Sequence, residues 1–446
     1  MKVLRTDNKK FFQELKKRQS VSYKHLETME TQVREIINTV RTRGDKALLD
    51  YTARFDGVKL AKKNLQISKA EIDVAWRNAS IKDKKSLNLA KKRIEKFHRQ
   101  ELTHSWKIAG SGGEVLGQKV IPLEKVGIYV PGGKASYPSS VLMNAIPAQI
   151  AGVSEIIMIT PPSPEGINSF TLAAARICGI KKIFQVGGAQ AIAALAYGTE
   201  TIPRVDKIVG PGNIFVAMAK KMVSGEVGID MIAGPSEILI IADGSAHPEF
   251  IAADLLSQAE HDEEAQVTLM TSSQALAARV QKGIIALMKK LPRKEILRKA
   301  LKNFGLIIIT KNLLQAVALA NKVAPEHLLL AVKDPYRLLE KVKNAGSVFL
   351  GHFSPVAAGD YLAGPNHVLP TSGTARFSSP LGVYDFVKFF SFTHFNQAQL
   401  KKLGNDIMRL ARLEGLEAHA RSVETNPVRK LLHGAFTPCF FARLDM

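Results

Sequence analysis

Short apolar runs that end in glycine or proline recur through the middle of the chain, and they constrain its fold more than any other feature. The first series consists of residues 126–130, 156–160, 183–186 and 207–209. Segments with a helical pattern, such as 172–178 and 191–197, separate these runs. Strands that alternate with helices predict βαβ units and a parallel sheet, with ligands at the carboxyl ends of the strands.

A second series of apolar runs follows, again with helical segments between them. It consists of residues 238–242, 267–270, 306–310 and 348–350. Two sheets accommodate the two series better than one, so we predict an α/β fold of two doubly wound Rossmann-like domains with small helical N- and C-terminal domains. The predicted boundaries are a helical arm of 1–24, a discontinuous domain of 25–126 and 235–381, an inserted domain of 127–234, and a helical domain of 382–446.

The composition is that of a globular protein, with 46% hydrophobic and 23% charged residues among 446. No apolar run approaches the roughly 18 residues of a membrane span, and no apolar signal core follows Met1, so neither a membrane association nor a secretory route is expected. The two cysteines, Cys178 and Cys439, are too few for a disulfide framework. We therefore predict a cytoplasmic location.

The net charge of +22, from 62 basic and 40 acidic residues, raises the question of a polyanionic partner. The basic residues are scattered, and their local excess in 282–302 has the pattern of one solvated helix face. No motif of interleaved aromatic and basic residues accompanies the charge. We therefore predict no nucleic-acid partner, although the charge keeps that class of protein as an alternative.

Three glycine-rich turns follow predicted strands, at 131–133, 187–190 and 210–213. Glycine lets backbone amides approach a ligand closely, and the start of a following helix favours phosphate. Each turn alone is explained as a tight turn, whereas three on one sheet edge fit tight turns and a nucleotide-type ligand equally well. The dinucleotide fingerprint is incomplete, because Asp206 precedes a strand instead of ending one and is a poor ribose-binding acid.

Polar side chains that suit a metal or an acid–base role lie in later segments. Gln258 and His261 are three residues apart in a predicted helical run, which fits either a partial metal site or an ordinary surface pair. Glu326 follows Pro325 and suits the first turn of a helix, whereas His327, with an unperturbed pKa of ~6.5, suits proton abstraction from an alcohol. Adjacent side chains point in different directions, so the pair suits two separate proton transfers.

Four further candidates lie nearer the C-terminal end. Asp360 and His367 are in stretches rich in glycine and proline, where Asp360 is equally an ordinary turn residue and His367 an ordinary loop residue. Together with Gln258, His261 and His419, Asp360 would complete a nitrogen and oxygen ligand set without a thiolate. Glu414 follows an apolar helical stripe and either ends its packing or points into a site.

Taken together, these residues resemble the histidinol dehydrogenase family, from about Arg43 to about Glu424. The most specific stretches of the resemblance are residues 205–213, 230–237, 257–261, 325–328 and 366–370. The resemblance implies an NAD-dependent, zinc-dependent four-electron oxidation of L-histidinol to L-histidine through L-histidinal, the last step of histidine biosynthesis. It implies NAD contacts in the inserted domain, catalytic and metal residues in the discontinuous domain, and a dimerisation role for residues 382–446.

The resemblance also implies the site residues. Zinc, one ion per subunit, would be held by Gln258, His261, Asp360 and His419. In an intertwined homodimer, the partner subunit would supply His419 and Glu414. Substrate contacts carry over to Ser236, Gln258, His261, His327, Asp360, His367, Glu414 and His419. Contacts to NAD carry over to Tyr129, Gln190 and Asn213.

The chemistry expected of these residues follows from their types. His327 takes the hydroxyl proton during the first hydride transfer, and Glu326 activates water for the second oxidation. A thiohemiacetal route is not expected, since Cys178 lies in a helical run and Cys439 in the C-terminal tail. A zinc hydrolase with the same ligands is the alternative enzyme, although it leaves the glycine-rich strand ends unexplained and predicts no reduction of NAD.

Overall fold

The structure is a computed structural model that describes residues 1–7, 26–132 and 137–425. Its internal contacts divide the chain into two compact units. The first unit comprises Met1–Leu102 and Pro122–Val387, and the second comprises Thr103–Ile121 with the described residues from Lys388 onward. Among the described helices, none has both the length and the apolar character needed to cross a membrane.

The elements within the described residues are numbered in chain order. The strands are β1 (Lys2–Arg5), β2 (Trp106–Ala109), β3 (Val115–Pro122), β4 (Lys125–Tyr129), β5 (Glu155–Thr160), β6 (Lys182–Gln185), β7 (Lys207–Val209), β8 (Gly228–Ile229), β9 (Glu237–Ala242), β10 (Gln266–Thr271), β11 (Gly305–Ile309), β12 (His327–Ala331), β13 (Ser347–Leu350) and β14 (Val387–His394). The α-helices are α1 (Leu26–Phe55), α2 (Lys69–Asn78), α3 (Ile81–His98), α4 (Pro138–Ala151), α5 (Ser169–Ile177), α6 (Gly188–Tyr197), α7 (Ile214–Val223), α8 (Pro248–Ala259), α9 (Gln274–Met288), α10 (Lys294–Asn303), α11 (Leu313–Val323), α12 (Pro335–Leu339), α13 (Val356–Tyr361), α14 (Gln397–Leu413) and α15 (Glu417–Glu424).

A six-stranded parallel sheet in the first unit has the strand order β1-β11-β10-β9-β12-β13. The chain runs outward from β9 through β10 and β11, then returns to the other side of β9 with β12 and β13. This reversal defines a doubly wound sheet. The strands β9, β11 and β12 are buried along their whole length, as expected for strands covered on both faces. The second predicted series of strands is confirmed.

A five-stranded parallel sheet, also in the first unit, has the order β6-β5-β4-β7-β8. The direction of winding reverses between β4 and β7. Val126 and Ile128 join the core on one face, whereas Tyr129 and Ile157 join the core on the other. The first predicted series of strands is confirmed, and in sequence this sheet lies between β1 and β9 of the larger sheet.

The helices that precede the smaller sheet pack against its helices. Val33, Val40 and Leu48 of α1 share a core with Ile192 of α6, and Ile94 of α3 lies in the core on the opposite face. This packing differs from the predicted grouping of residues 25–126 with 235–381, because apolar periodicity shows which face of a helix is buried but not the sheet that covers it.

Three local predictions are corrected by the structure. Residues 2–5 form edge strand β1, paired with β11, instead of part of a helical arm; the remainder of that arm, from residue 8, lies outside the described residues. No helix follows Pro325, because the apolar run from His327 to Ala331 is buried as β12 between β9 and β13. Asp360 lies on the short helix α13 and not in a loop.

The second unit contains a three-stranded sheet of order β14-β3-β2, together with α14 and α15. The prediction of a purely helical segment after residue 382 is wrong at Val387–His394. That run is rich in phenylalanine and β-branched residues, which favour a strand. The prediction is right for α14 and α15. The tail from 426 to 446 lies outside the described residues.

Candidate active site

A buried glutamate and histidine meet where β12 begins. The His327 Nδ1 atom lies 2.9 Å from the backbone oxygen of Glu237, at the start of β9. A carbonyl oxygen can only accept a hydrogen bond, so Nδ1 carries the proton that makes this contact. In the neutral imidazole, Nε2 is therefore the atom that can accept a proton.

The Glu326 carboxylate is held by the same peptide segment. Its Oε2 atom accepts a hydrogen bond of 2.7 Å from the backbone N–H of Glu237 and lies 3.5 Å from His327 Nδ1. Burial opposes the charged form of His327, but the Glu326 carboxylate outweighs it and, with Asp360, raises the pKa of His327 to about 9. His327 Nε2 lies 4.0 Å from Asp360 Oδ1.

Glu237 is a member of this site that sequence reasoning did not select. Its side chain accepts a hydrogen bond of 3.1 Å from the backbone N–H of Ser372. Burial, followed by the neighbouring Glu326 carboxylate, raises the pKa of Glu237 to about 7. The signal in the sequence is a carboxylate at the first position of a strand that is otherwise entirely apolar.

His367 and Asp360 are brought together across a turn. The His367 Nδ1 atom donates to the backbone oxygen of Asp360 over 3.1 Å, and Nε2 lies 3.4 Å from the Ser140 hydroxyl, which can donate to it. Burial lowers the pKa of His367 and favours its neutral form. The adjacent Asn366 side chain donates to the backbone oxygen of Met143 over 2.7 Å, which ties this loop to α4.

A cavity of about 440 Å³ is lined by His327, Asp360 and His367. Its walls also include the apolar side chains Phe349 and Leu362. The volume is in the range of small-molecule sites, and polar groups converge on one part of an otherwise apolar surface. The structure therefore brings three of the predicted site residues to one cavity.

Gln258 is buried in the last turn of α8, whereas His261 lies two residues beyond the end of that helix. The prediction that both lie in one helical run is wrong for His261, because α8 ends at Ala259. Asp254, one turn before Gln258, accepts a hydrogen bond of 3.2 Å from the backbone N–H of Val356. Val356 begins α13, so this contact joins the helix of Gln258 to the helix of Asp360.

The remaining predicted substrate and metal residues are placed less directly. Ser236 is half-buried immediately before β9, next to Glu237. Glu414 follows the last residue of α14, and His419 lies on α15; both are exposed and both belong to the second unit.

The proposed zinc ligands fit the metal in donor chemistry, since two imidazoles and two oxygen donors suit zinc. In the part of the chain that the structure describes, no group of three or more histidine, cysteine, aspartate or glutamate side chains is arranged to hold a metal. Of the proposed set, the first unit contains only His261 and Asp360 of these types, because Gln258 is an amide and His419 is in the second unit.

The residues expected to contact NAD lie at the carboxyl ends of the smaller sheet. The Tyr129 hydroxyl, at the end of β4, accepts a hydrogen bond of 3.2 Å from the backbone N–H of Gly188. Gln190 is buried in the first turn of α6. Asn213 caps α7, with its Oδ1 atom 3.1 Å from the backbone nitrogens of Phe215 and Val216, so its amide nitrogen is the part left to meet a ligand.

The turn before Asn213 is held by a buried ion pair. The Lys220 ammonium contacts the Asp230 carboxylate and donates to the backbone oxygen of Gly210 over 3.0 Å. Asp230 also accepts a hydrogen bond of 2.8 Å from the backbone N–H of Gly210. Gly210 has a φ of 110°, and a Cβ there would clash with the backbone oxygen of Tyr129, so only glycine fits this approach.

Comparisons with known proteins agree on one family. The family model described as histidinol dehydrogenase matches residues 18–426. The histidinol dehydrogenase of Syntrophotalea carbinolica is 56% identical over 397 residues, which is 89% of this chain and 92% of that protein. That of Geobacter metallireducens is 54% identical over 396 residues, or 89% and 91% of the two chains. The crystal structure of histidinol dehydrogenase from Elizabethkingia anophelis has a TM-score of 0.90 and 38% identity, and covers 97% of this chain and 99% of that one.

The doubly wound parallel sheets, the buried glutamate–histidine pair and these relatives define an oxidoreductase. More specifically, the chain belongs to the histidinol dehydrogenase family. The resemblance predicted from the sequence is confirmed.

Proposed function

We propose that the protein catalyses the NAD- and zinc-dependent four-electron oxidation of L-histidinol to L-histidine through L-histidinal, as the last step of histidine biosynthesis. Family membership supports the substrate and the pathway. The observation that carries the mechanism is the contact between His327 Nδ1 and the Glu237 backbone oxygen, which leaves Nε2 as the proton acceptor.

In the first oxidation, His327 acts as the base. Its Nε2 atom takes the hydroxyl proton of histidinol while the hydride on the same carbon passes to NAD, and the product is the aldehyde. Nε2 is suitably placed because it faces Asp360 at the edge of the cavity. The Nδ1 contact fixes the ring orientation throughout, so the base does not have to be aligned in each turnover.

In the second oxidation, Glu326 activates a water molecule that adds to the aldehyde. The hydrate then loses a second hydride to a second NAD, and the carboxylate is formed. A thiohemiacetal is not used in this proposal: Cys178 is buried at the end of α5 within the apolar core, and burial raises the pKa of its thiol to about 12. Cys439 lies outside the described residues.

The proposed metal site holds one zinc ion per subunit, with Gln258, His261 and Asp360 from one chain and His419 of the partner subunit. These residues would hold the ion, which when bound would supply Lewis-acid binding and orientation of the substrate. Ser236, His367 and Glu414 complete the proposed substrate contacts, with Glu414 also from the partner subunit. In this proposal the protein is an intertwined homodimer, and its location is cytoplasmic.

The proposed NAD contacts are Tyr129, Gln190 and Asn213. The support for them is the N-terminal end of α6 beside the Tyr129 hydroxyl, which suits a phosphate-containing ligand.

The stoichiometry of the reaction tests the proposed function. Purified protein with excess NAD and limiting L-histidinol should form two NADH per histidinol, with L-histidine as the product. Removal of metal by a chelator should abolish the formation of NADH and of L-histidine, and added zinc should restore both products. Failure to form NADH would reject the dehydrogenase reaction, and formation of one NADH with accumulated aldehyde would reject the four-electron reaction.

A further inference from the structure

The first turn of α6 contains a buried acceptor with nothing to accept from. Gln190 is 1% exposed, and its Oε1 atom has no hydrogen-bond partner among the residues that the structure describes. This oxygen lies 2.7 Å from the position that a Cβ on Gly188 would take, so it faces the N-terminal end of the helix. A buried acceptor without a partner is costly, which points to a ligand with a donor at this place.

A second acceptor of the same kind belongs to Asp56. Its Oδ2 atom is buried and, within the described part of the chain, has no hydrogen-bond partner. Burial raises the pKa of Asp56 to about 6. An ionised carboxylate in this environment destabilises the fold near neutral pH, so packing alone does not account for it.

The packing of α1 on α6 places Asp56 near Gln190. Asp45, in the second half of α1, accepts a hydrogen bond of 3.3 Å from the backbone N–H of Thr201, beyond the C-terminal end of α6. From Asp45 the helix continues to Phe55, a rise of about 15 Å at about 1.5 Å per residue, which is also about the length of α6. The antiparallel arrangement therefore brings Asp56 to the N-terminal end of α6.

An electrostatic interaction supports this placement. Burial raises the pKa of the Tyr129 hydroxyl to about 12, and the Asp56 carboxylate adds to the increase. The same hydroxyl accepts the hydrogen bond from Gly188, the first residue of α6. Asp56, Tyr129 and Gln190 thus surround one helix N-terminus.

The ligand chemistry follows from these groups. The Asp56 carboxylate and the Gln190 amide oxygen both need hydrogen-bond donors, and two vicinal hydroxyl groups supply two adjacent donors. The helix N-terminus favours a phosphate. A nucleotide ribose next to a phosphate has both features. Resting on the NAD dependence proposed above, we infer that Asp56 binds the ribose of NAD and that its charge excludes NADP, which carries a phosphate on the 2′-oxygen. Asp56 then fills the position for which Asp206 is unsuited.

Cofactor binding to Asp56→Asn tests this inference. Asparagine keeps the size of the side chain and removes its charge. Asp50→Asn is the matched control, because Asp50 is an exposed acid of α1 whose carboxylate lies 2.6 Å from an Arg43 nitrogen. The dissociation constants of NAD and NADP are measured by calorimetry on the full-length protein, and the KM for histidinol and thermal unfolding are measured in parallel.

We expect Asp56→Asn to weaken NAD binding about tenfold, as for loss of a hydrogen bond to a charged group, and to lower the preference for NAD over NADP by at least that factor. The KM for histidinol should stay unchanged, and the thermal stability without cofactor should not fall. An unchanged cofactor preference, equal to that of Asp50→Asn, would overturn the inference, and so would a loss of stability alone. Failure of the wild-type protein to reduce NAD would instead reject the proposed function.

Discussion

The peptide groups of Glu237 hold both His327 and Glu326. The backbone oxygen of Glu237 is 2.9 Å from His327 Nδ1, and its backbone nitrogen is 2.7 Å from Glu326 Oε2. These contacts follow from the register of the larger sheet, in which His327 lies beside Ile238 and Glu326 therefore lies beside Glu237. Glu326, just before β12, and His327, its first residue, are thus both held by one residue of β9.

The pH dependence of turnover should follow the imidazole of His327. Its pKa is raised to about 9, so the ring is mostly protonated at pH 7 and cannot accept the substrate proton. At saturating substrates, kcat should rise about tenfold per pH unit below this pKa and level off above it.

The variant His327→Asn should lower kcat by roughly 10²–10⁴ and remove this slope. Initial rates of NADH formation from pH 6 to 10 check this, with the exposed His104→Asn as the control; retention of the wild-type slope in His327→Asn would reject the base role.

Glu237→Gln should change how stability depends on pH. The pKa of Glu237 is about 7 in the fold against 4.5 ordinarily, so the folded protein binds a proton that the unfolded chain releases between these values. The free energy of unfolding of the wild type therefore falls as pH rises through this window, by up to about 3 kcal/mol. Glutamine at position 237 removes this loss of stability and keeps the backbone contacts to Glu326 and His327. In urea unfolding, the free energy of unfolding of Glu237→Gln relative to the wild type should be higher at pH 8 than at pH 5. The exposed Glu249→Gln is the control and should show the same difference from the wild type at both pH values. The same result for Glu237→Gln would show that Glu237 is not a buried acid with a raised pKa.

Lys220→Met should destabilise the protein by about 3–5 kcal/mol, because it leaves the Asp230 carboxylate buried without its cation. The loss should also loosen the Gly210 turn, which both side chains hold, and raise the KM for NAD more than the KM for histidinol. Lys221→Met removes the neighbouring exposed lysine and should change stability by less than about 0.5 kcal/mol. Chemical unfolding of both variants measures the difference in stability, and similar midpoints would show that the Lys220–Asp230 ion pair contributes little to it.

Mixed dimers test the contribution of the partner subunit. Asp360→Ala and His419→Ala should each be inactive alone. When the two variants are co-expressed, half of the dimers should be mixed, and each mixed dimer has one intact site, so activity should return to about a quarter of the wild-type value. Zinc content should recover in parallel. No recovery in purified mixed dimers would place all the ligands in one chain.

The sequence predicted the elements of the fold better than their contacts. Both series of strands were recognised because buried parallel strands are continuous apolar runs, and the observed orders agree with doubly wound sheets. β12 was missed because the Pro325-Glu326 pair has the local pattern of a helix start, and burial between two strands overrides that preference. β14 was missed because the adjacent Phe389 and Phe390 interrupt its alternation of apolar and polar residues.

In the candidate site, too, individual residues are easier to predict from the sequence than their contacts. His327, Asp360 and His367 are predicted from residue type and setting, and the structure places all three around one cavity. Glu237 and Asp254 are not predicted from the sequence. Glu237 contacts Glu326, about ninety positions away, and Asp254 contacts Val356, about one hundred positions away. Such pairings arise from sheet register and helix packing, and no local pattern in the sequence specifies them. The inferred position of Asp56 beside α6 likewise depends on the packing of α1, which no local pattern specifies.

The central claim is that Glu326 and His327 serve different oxidations, and assay of each half-reaction in Glu326→Gln and His327→Asn tests it most directly. With L-histidinol as substrate, Glu326→Gln should form close to one NADH per histidinol and release aldehyde, because glutamine cannot activate water. With L-histidinal as substrate, it should be nearly inactive, whereas His327→Asn should lose the alcohol step. Equal losses of both half-reactions in Glu326→Gln, in a protein that unfolds like the wild type, would contradict the account.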